Sequence, residues 1–166
     1  MKKILLVVAF FATTLTAQLF AQDVKQSSLL PLLTDYYNIK DALINSNSSD
    51  AAAHAGVFLK DINGADLKLL SVADRIVFVK FQDKLAYDAR HISESTDIAH
   101  QREHFANFSA NFFKLVKSVK LTNQVVYYDY CPMQNGYWLS AYASIKNPYL
   151  GKQMLTCGKV TEALNK

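Results

Sequence analysis

Glycine and proline are scarce in this chain, at five and three of 166 residues. An all-β fold assembled from many tight turns needs more of both, so the composition argues for helices. Cysteine is scarcer still. Cys131 and Cys157 are the only two, both in the last quarter, which excludes a framework of several disulfides. No charge of one sign dominates either. The formal charge is +4, but without Lys2 and Lys3 the chain carries 16 basic against 14 acidic residues, a net of +2. With no basic stripe, a nucleic-acid partner has no electrostatic support. Beyond the N-terminal segment there is no apolar run approaching the roughly 20 residues that span a bilayer.

What is present begins with a leader. Lys2 and Lys3 precede an apolar run from Ile4 to Leu15, interrupted only by Thr13 and Thr14. That run is short for a membrane span, and its flanks suit a cleavable secretory signal peptide over residues 1–21. Leu19 and Ala21 occupy the −3 and −1 positions of a cut before Gln22, and a cut after Ala17 is the alternative. An uncleaved anchor is the competing reading. No cysteine follows the run to carry a lipid. The expectation is a periplasmic or secreted protein whose residues 22–166 form one domain, long enough to bury roughly two-thirds of its unfolded surface.

The first two-thirds reads as helices. Leu29, Leu32, Leu33, Tyr36, Tyr37, Ile39, Leu43 and Ile44 recur at helical spacing over 29–46, until the polar run 45–49 stops them. A second helix starts with Ser48 or Ser49 as cap and Asp50 in its first turn, and ends at Asn63-Gly64. Ala51, Ala55, Phe58, Leu59 and Ile62 form its apolar stripe. The third, 71–92, contains Ile76-Val77-Phe78-Val79-Lys80-Phe81, which in isolation suits a strand. Its pattern runs on through Leu85, Ala86 and Ala89 without a turn residue, which favours helix. The fourth is the clearest: Ile98, Phe105, Phe112 and Val119 recur every seventh residue, with Gln101, Phe108 and Leu115 between them. Thr96 or Asp97 caps it, and Lys114, Lys117 and Lys120 suit its end. Four helices with short connections predict an all-α fold, an antiparallel up-down four-helix bundle. A short irregular or β C-terminal tail, of one or two strands, packs on it.

That tail holds the informative chemistry. Residues 124–131 are β-prone, and seven aromatics (Tyr127, Tyr128, Tyr130, Tyr137, Trp138, Tyr142, Tyr149) crowd 127–149. Such a cluster serves as a stacking surface or, more commonly, as apolar adhesive holding a tail to helices. Cys131-Pro132-Met133 opens the segment and Met154-Leu155-Thr156-Cys157-Gly158 closes it. Thiolate and thioether are soft donors that select Cu(I) and similar ions. Brought together, Cys131, Met133, Met154 and Cys157 make a metal site of four sulfurs. The alternative is a Cys131–Cys157 disulfide, worth roughly 3 kcal/mol on a chain-entropy argument. It would staple an envelope interaction module that carries no metal. The two methionines favour the metal, since a disulfide has no need of them, although Met also fills core gaps.

The segment Cys131-Pro132-Met133, Gly136-Tyr137-Trp138-Leu139-Ser140 and Ile145-Lys146-Asn147-Pro148-Tyr149-x-Gly151-x-x-Met154-x-x-Cys157-Gly158 resembles the signature of an exported bacterial family, domain of unknown function 3347. The likeness continues upstream through 92–117 and more loosely to the first helices. Members of that family occur alone as small exported proteins and fused to periplasmic adaptor subunits of heavy-metal efflux pumps. The resemblance therefore implies handling of copper or another soft metal ion, with an efflux-system or other envelope protein as partner. Cys-Pro-Met is also similar to the Tyr-x-Cys-Pro-Met-His-Pro motif of short metal-binding segments in copper pumps. Here Asp129 replaces the tyrosine and Gln134 the histidine.

The fourth helix offers nitrogen donors. His100-Gln101-Arg102-Glu103-His104 fits H-x-x-E-H, an inverted zinc-protease pattern in which two His bind the ion and Glu is the base. The pattern is short, its third ligand would have to come from Glu94, Glu162 or elsewhere, and the domain is small for a peptide cleft. A zinc peptidase is thus the least favoured reading. Without catalysis, Asp97, His100 and His104 share one helix face, and His91 lies level with His100 if the helices are antiparallel. That makes an N/O site for Zn(II) or Cu(II). A solvated flank beside the Phe105–Phe108 seam is the commoner fate of such residues. His54, among alanines, reads as a surface or half-buried residue. The overall expectation is a non-enzymatic soft-metal binder, with His100 and His104 as auxiliary ligands.

Overall fold

The computed structural model describes residues 28–166; the expected signal peptide, 1–21, lies outside the described residues. Four helices come first: α1 (Leu30–Ile44), α2 (Ser48–Asn63), α3 (Val72–Ser93) and α4 (Ile98–Ser118). Each start has a local cause. Pro31 sits in the first turn of α1, where its missing N–H costs nothing. Asn47, not Ser48 or Ser49, caps α2: its Oδ1 accepts the Asp50 N–H at 3.2 Å and its amide donates back to the Asp50 carboxylate. The cap lies one residue earlier than expected because Asn47 and Asp50 satisfy each other reciprocally, in the manner of a capping box. Ser71 does the same for α3 with Asp74, and Asp97 accepts the Ala99 N–H at the start of α4.

Residues 76–81 are helical. Phe78 and Phe81 enter the core while Ile76 and Val79 are exposed, so the apolar run is a wide stripe rather than a two-sided strand. Consecutive helices pack side by side, α1 on α2, α2 on α3 and α3 on α4. The seventh-residue seam of α4 is the centre of the core: Phe105, Phe108, Phe112 and Leu115 are fully buried. The Tyr36 ring stacks on Phe105, Phe108 and Phe112, with centroids 5.0–5.6 Å apart, and Phe58 meets Phe108 edge-on.

The C-terminal part is a three-stranded antiparallel sheet, more regular than the expected tail, so the chain is mostly helical rather than all-α. Its strands are β1 (Val126–Cys131), β2 (Gly136–Ser140) and β3 (Lys159–Leu164), in the order β2-β1-β3. A four-residue turn joins β1 to β2, pairing Cys131 with Gly136 and Tyr128 with Leu139. The strand the sequence reading missed is β3, KVTEAL, half of whose residues are exposed and which carries little apolar alternation.

Edge strand β2 faces the helices. Its Leu139 N–H donates to the Tyr36 hydroxyl at 2.9 Å, and that hydroxyl also bonds Ser109 Oγ at 2.7 Å. One buried phenol thereby ties α1, α4 and the sheet together and occupies an edge that would otherwise present a free donor. Tyr36→Phe keeps the ring and strands the Leu139 N–H. We expect it to lose about 1–3 kcal/mol, read as a lower urea midpoint with an unchanged slope.

The aromatic tail acts mainly as adhesive. Tyr128 stacks on Phe113 of α4 at 3.6 Å and on Tyr137 at 4.9 Å. Trp138 and Tyr149 are buried, and Tyr142 alone of the seven is mostly exposed.

Candidate metal centres

Two groups of metal-ligating side chains stand out among the described residues, at different places in the fold. The first is the cysteine pair. Cys131 ends β1, and Cys157 closes the loop two residues before β3, the strand paired with β1. The sheet therefore brings together two residues 26 apart in sequence, leaving their sulfurs 3.8 Å from one another as free thiols. Two thiolates bound to one tetrahedral ion at about 2.3 Å lie about 3.8 Å apart, so the spacing suits shared coordination without rearrangement. A disulfide would require closure to about 2.05 Å.

The loop between β2 and β3 is built around Asn147. This fully buried side chain donates to the Cys157 carbonyl at 2.7 Å and accepts the N–H groups of Tyr149 and Leu150. Its backbone N–H reaches the Leu155 carbonyl at 2.8 Å. Gly158, directly after Cys157, has φ 147°, and a Cβ there would lie 2.8 Å from Trp138 and 2.9 Å from the Tyr130 carbonyl. Only glycine allows the chain to pass so close to β1 and β2 at that point.

The two sulfurs differ electrostatically. Burial pushes the Cys131 thiol up, but the N–H of Gln134, the Asn147 amide, the Cys157 thiol and the N–H of Met133 all stabilise its thiolate, and the net shift is downward. The Cys157 thiol is pushed up, first by desolvation and then by its hydrogen bond to Cys131 and the charge there. The two sulfurs thus bias each other, Cys131 toward thiolate and Cys157 toward thiol. The other two expected ligands sit at the surface. Met133, in the β1–β2 turn, is 61 % exposed, and Met154, after the short 3-10 turn Gly151–Gln153, is 43 % exposed. The Cys-Pro-Met-Gln turn thus contributes backbone N–H groups to the sulfur, a role that the motif did not announce.

Near the pair, Asp129 is fully buried on β1 opposite Trp138, and neither carboxylate oxygen has a hydrogen-bond partner. Burial pushes its carboxyl up to about 7, with Lys40 opposing the shift.

The second group is on the helices. His91, in the last turn of α3, meets His100 and His104 of α4, and one ring nitrogen from each lies within 4.8 Å of one from each of the others. His91 and His104 stack at 4.3 Å with an interplanar angle of 7°. His104 Nδ1 contacts Asp88 Oδ1 at 3.1 Å. The four-residue α3–α4 connection is what places His91 beside His100. Asp97 is not with them, being the cap of α4. Nor is Glu103, which is exposed and lines a separate open cavity of about 450 Å³ with Ala99, Arg102 and Tyr149. His54 is half-buried and faces Asp35. Asp88 and Tyr87 were missed by sequence reasoning. An Asp three residues before a His on a helix was the available signal for Asp88.

Residues 32–124 match the model of a family described as protein of unknown function (DUF3347). The chain belongs to the DUF3347 family. The matched segment is the helical part and contains His91, His100 and His104. The Cys/Met tail that carries the resemblance read from the sequence lies beyond it. Among curated proteins and among solved structures, nothing matches the chain.

Proposed function

We propose that this DUF3347 protein is an exported, non-catalytic metal-binding protein that takes Cu(I) or a similar soft ion at Cys131 and Cys157. It would present the ion to an efflux or homeostasis system of the cell envelope. Periplasmic location rests on the leader-like residues 1–21, and the link to efflux rests on the resemblance of the tail. The observation that carries the metal reading is the pair of free thiols 3.8 Å apart, one of them surrounded by N–H donors. Soft thiolates in such a pair favour Cu(I) over hard cations. Met133 and Met154, exposed on the two flanking turns, are the thioethers available to complete the coordination or to receive an ion in transit.

The helices would run antiparallel, up and down. In support, each packs beside its sequence neighbour and the connections are short. No described helix is long and apolar enough to cross a membrane.

The test is titration of reduced protein with Cu(I) against a chromogenic Cu(I) chelator, together with a thiol count on protein isolated without reductant. We expect one tightly held Cu(I) per chain and two titratable thiols after reduction. Uptake that is unchanged in the Cys131→Ser/Cys157→Ser double variant would sink the reading. Protein isolated with no free thiols, and binding no Cu(I) even after reduction, would favour a disulfide-stapled interaction module instead.

A further inference from the structure

We infer that His91, His100 and His104 form a second, separate metal site, for one borderline divalent ion of the Zn(II) or Cu(II) class, oriented by Asp88. It goes beyond the thiol site proposed above in place, donor type and ion.

Three observations carry it. First, the imidazoles come from two different helices and converge. His100 and His104, at i and i+4, share a face of α4, and His91 reaches them from α3, so that ligand atoms lie within 4.8 Å of one another. Three nitrogens on one ion at 2.0–2.1 Å sit about 3.3 Å apart. Small rotations of side chains that are only half-buried close that difference.

Second, the cluster already has an outer partner of the kind metal-bound histidines use. The Asp88 carboxylate, buried on α3 one turn before His91, contacts His104 Nδ1 at 3.1 Å. Accepting the Nδ1 proton fixes the tautomer and leaves Nε2 as the basic nitrogen available to an ion. Tyr87 closes one side, its ring centroid 4.5 Å from His91 and 5.9 Å from His104.

Third, the arrangement has no better structural explanation. The three imidazoles are partly buried and turned toward one another instead of into the apolar core. The core side of α4 is formed by Phe105 and Phe108, whose rings meet Tyr36 and each other, not the histidines. Imidazole suits Zn(II) and Cu(II), whereas the all-sulfur set prefers Cu(I). Three histidines leave the remaining coordination positions to water or to a partner's side chain. A general base beside that water would be required for hydrolysis, and Glu103 lines a different cavity.

The experiment uses the full chain carrying Cys131→Ser and Cys157→Ser, so that no thiolate donor remains. Zn(II) is titrated calorimetrically, and Cu(II) is added separately and read by electron paramagnetic resonance. One equivalent of Zn(II) is expected, with Cu(II) showing coupling to several nitrogens. Adding His91→Asn or His100→Asn should weaken Zn(II) binding by more than 100-fold. Asp88→Asn should weaken it by about 10–100-fold. Far-UV circular dichroism of each variant reports the helices, and the two histidine variants stand in for one another should one misfold. Absence of Zn(II) and Cu(II) uptake by the thiol-free chain overturns the inference, as does uptake that survives both histidine substitutions. Neither result touches Cu(I) binding at the cysteines, so the two sites fail or stand independently.

Discussion

Cys131→Ser is expected to lower the Cu(I) affinity of the reduced protein by more than about 100-fold, exceeding the 10–100-fold typical of losing an outer-shell partner. The reason is the unequal environment of the two sulfurs. Cys131 sits at the end of β1 with the N–H groups of Met133 and Gln134 and the Asn147 amide around its sulfur, which stabilise its thiolate against the cost of burial. Cys157 is partly exposed and is pushed toward the thiol form by desolvation and then by its neighbour. Serine at 131 removes the better ligand and leaves the poorer one. Asn147→Asp supplies an intermediate case. The carboxylate can still accept the N–H groups of Tyr149 and Leu150, but it cannot donate to sulfur and brings a negative charge beside it. We expect an affinity loss of about 10–100-fold there. Competition with a Cu(I) chelator at fixed pH measures all three proteins. A Cys131→Ser variant within threefold of the wild type would show that the pair is not the site.

Asp35→Asn is expected to raise stability at pH 8 by up to about 3 kcal/mol while changing it little at pH 4. Asp35 is buried on α1 facing Asp61 of α2, and desolvation followed by that neighbouring carboxylate pushes its carboxyl up to about 6. The folded protein therefore holds this proton more tightly than the unfolded chain, whose carboxyl stays near 3.8. The resulting stability is complete below about pH 4 and is lost as pH rises through 6. Asparagine mimics the protonated acid and cannot lose it. The Asp129 carboxyl is pushed in the same direction by burial, so the Asp35→Asn variant should retain some loss of stability toward neutrality. Chemical denaturation at pH 4, 6 and 8 checks the prediction. A variant less stable than the wild type at pH 8 would contradict it.

The four helices were legible because each one's apolar spacing coincides with a local start or stop signal. Phe105, Phe112 and Val119 repeat at seven-residue spacing, and all are buried. The α2 cap was displaced by one residue because Asn47, Ser48 and Ser49 are all competent caps, and only the reciprocal bond to Asp50 chooses among them. Strand β3 was not legible. Its place beside β1 depends on backbone pairing and on the loop held by Asn147, not on any alternation of its own residues. The aromatic crowding was legible as apolar adhesive to the extent that Tyr128 stacks on Phe113, a generic apolar contact that needs no particular register.

For the candidate sites, residue chemistry and residue placement separate cleanly. From local order alone came the donor types: two thiols, two thioethers and a histidine pair one helical turn apart on α4. Short-range spacing sets these, because i and i+4 share a helix face wherever the helix lies. Long-range packing settled which of them meet. Pairing of β3 with β1 carries Cys157 to Cys131 across 25 intervening residues, and the α3–α4 packing adds His91 and Asp88 to His100 and His104. Those encounters depend on helix packing and strand register, which arise only when the whole core is buried at once.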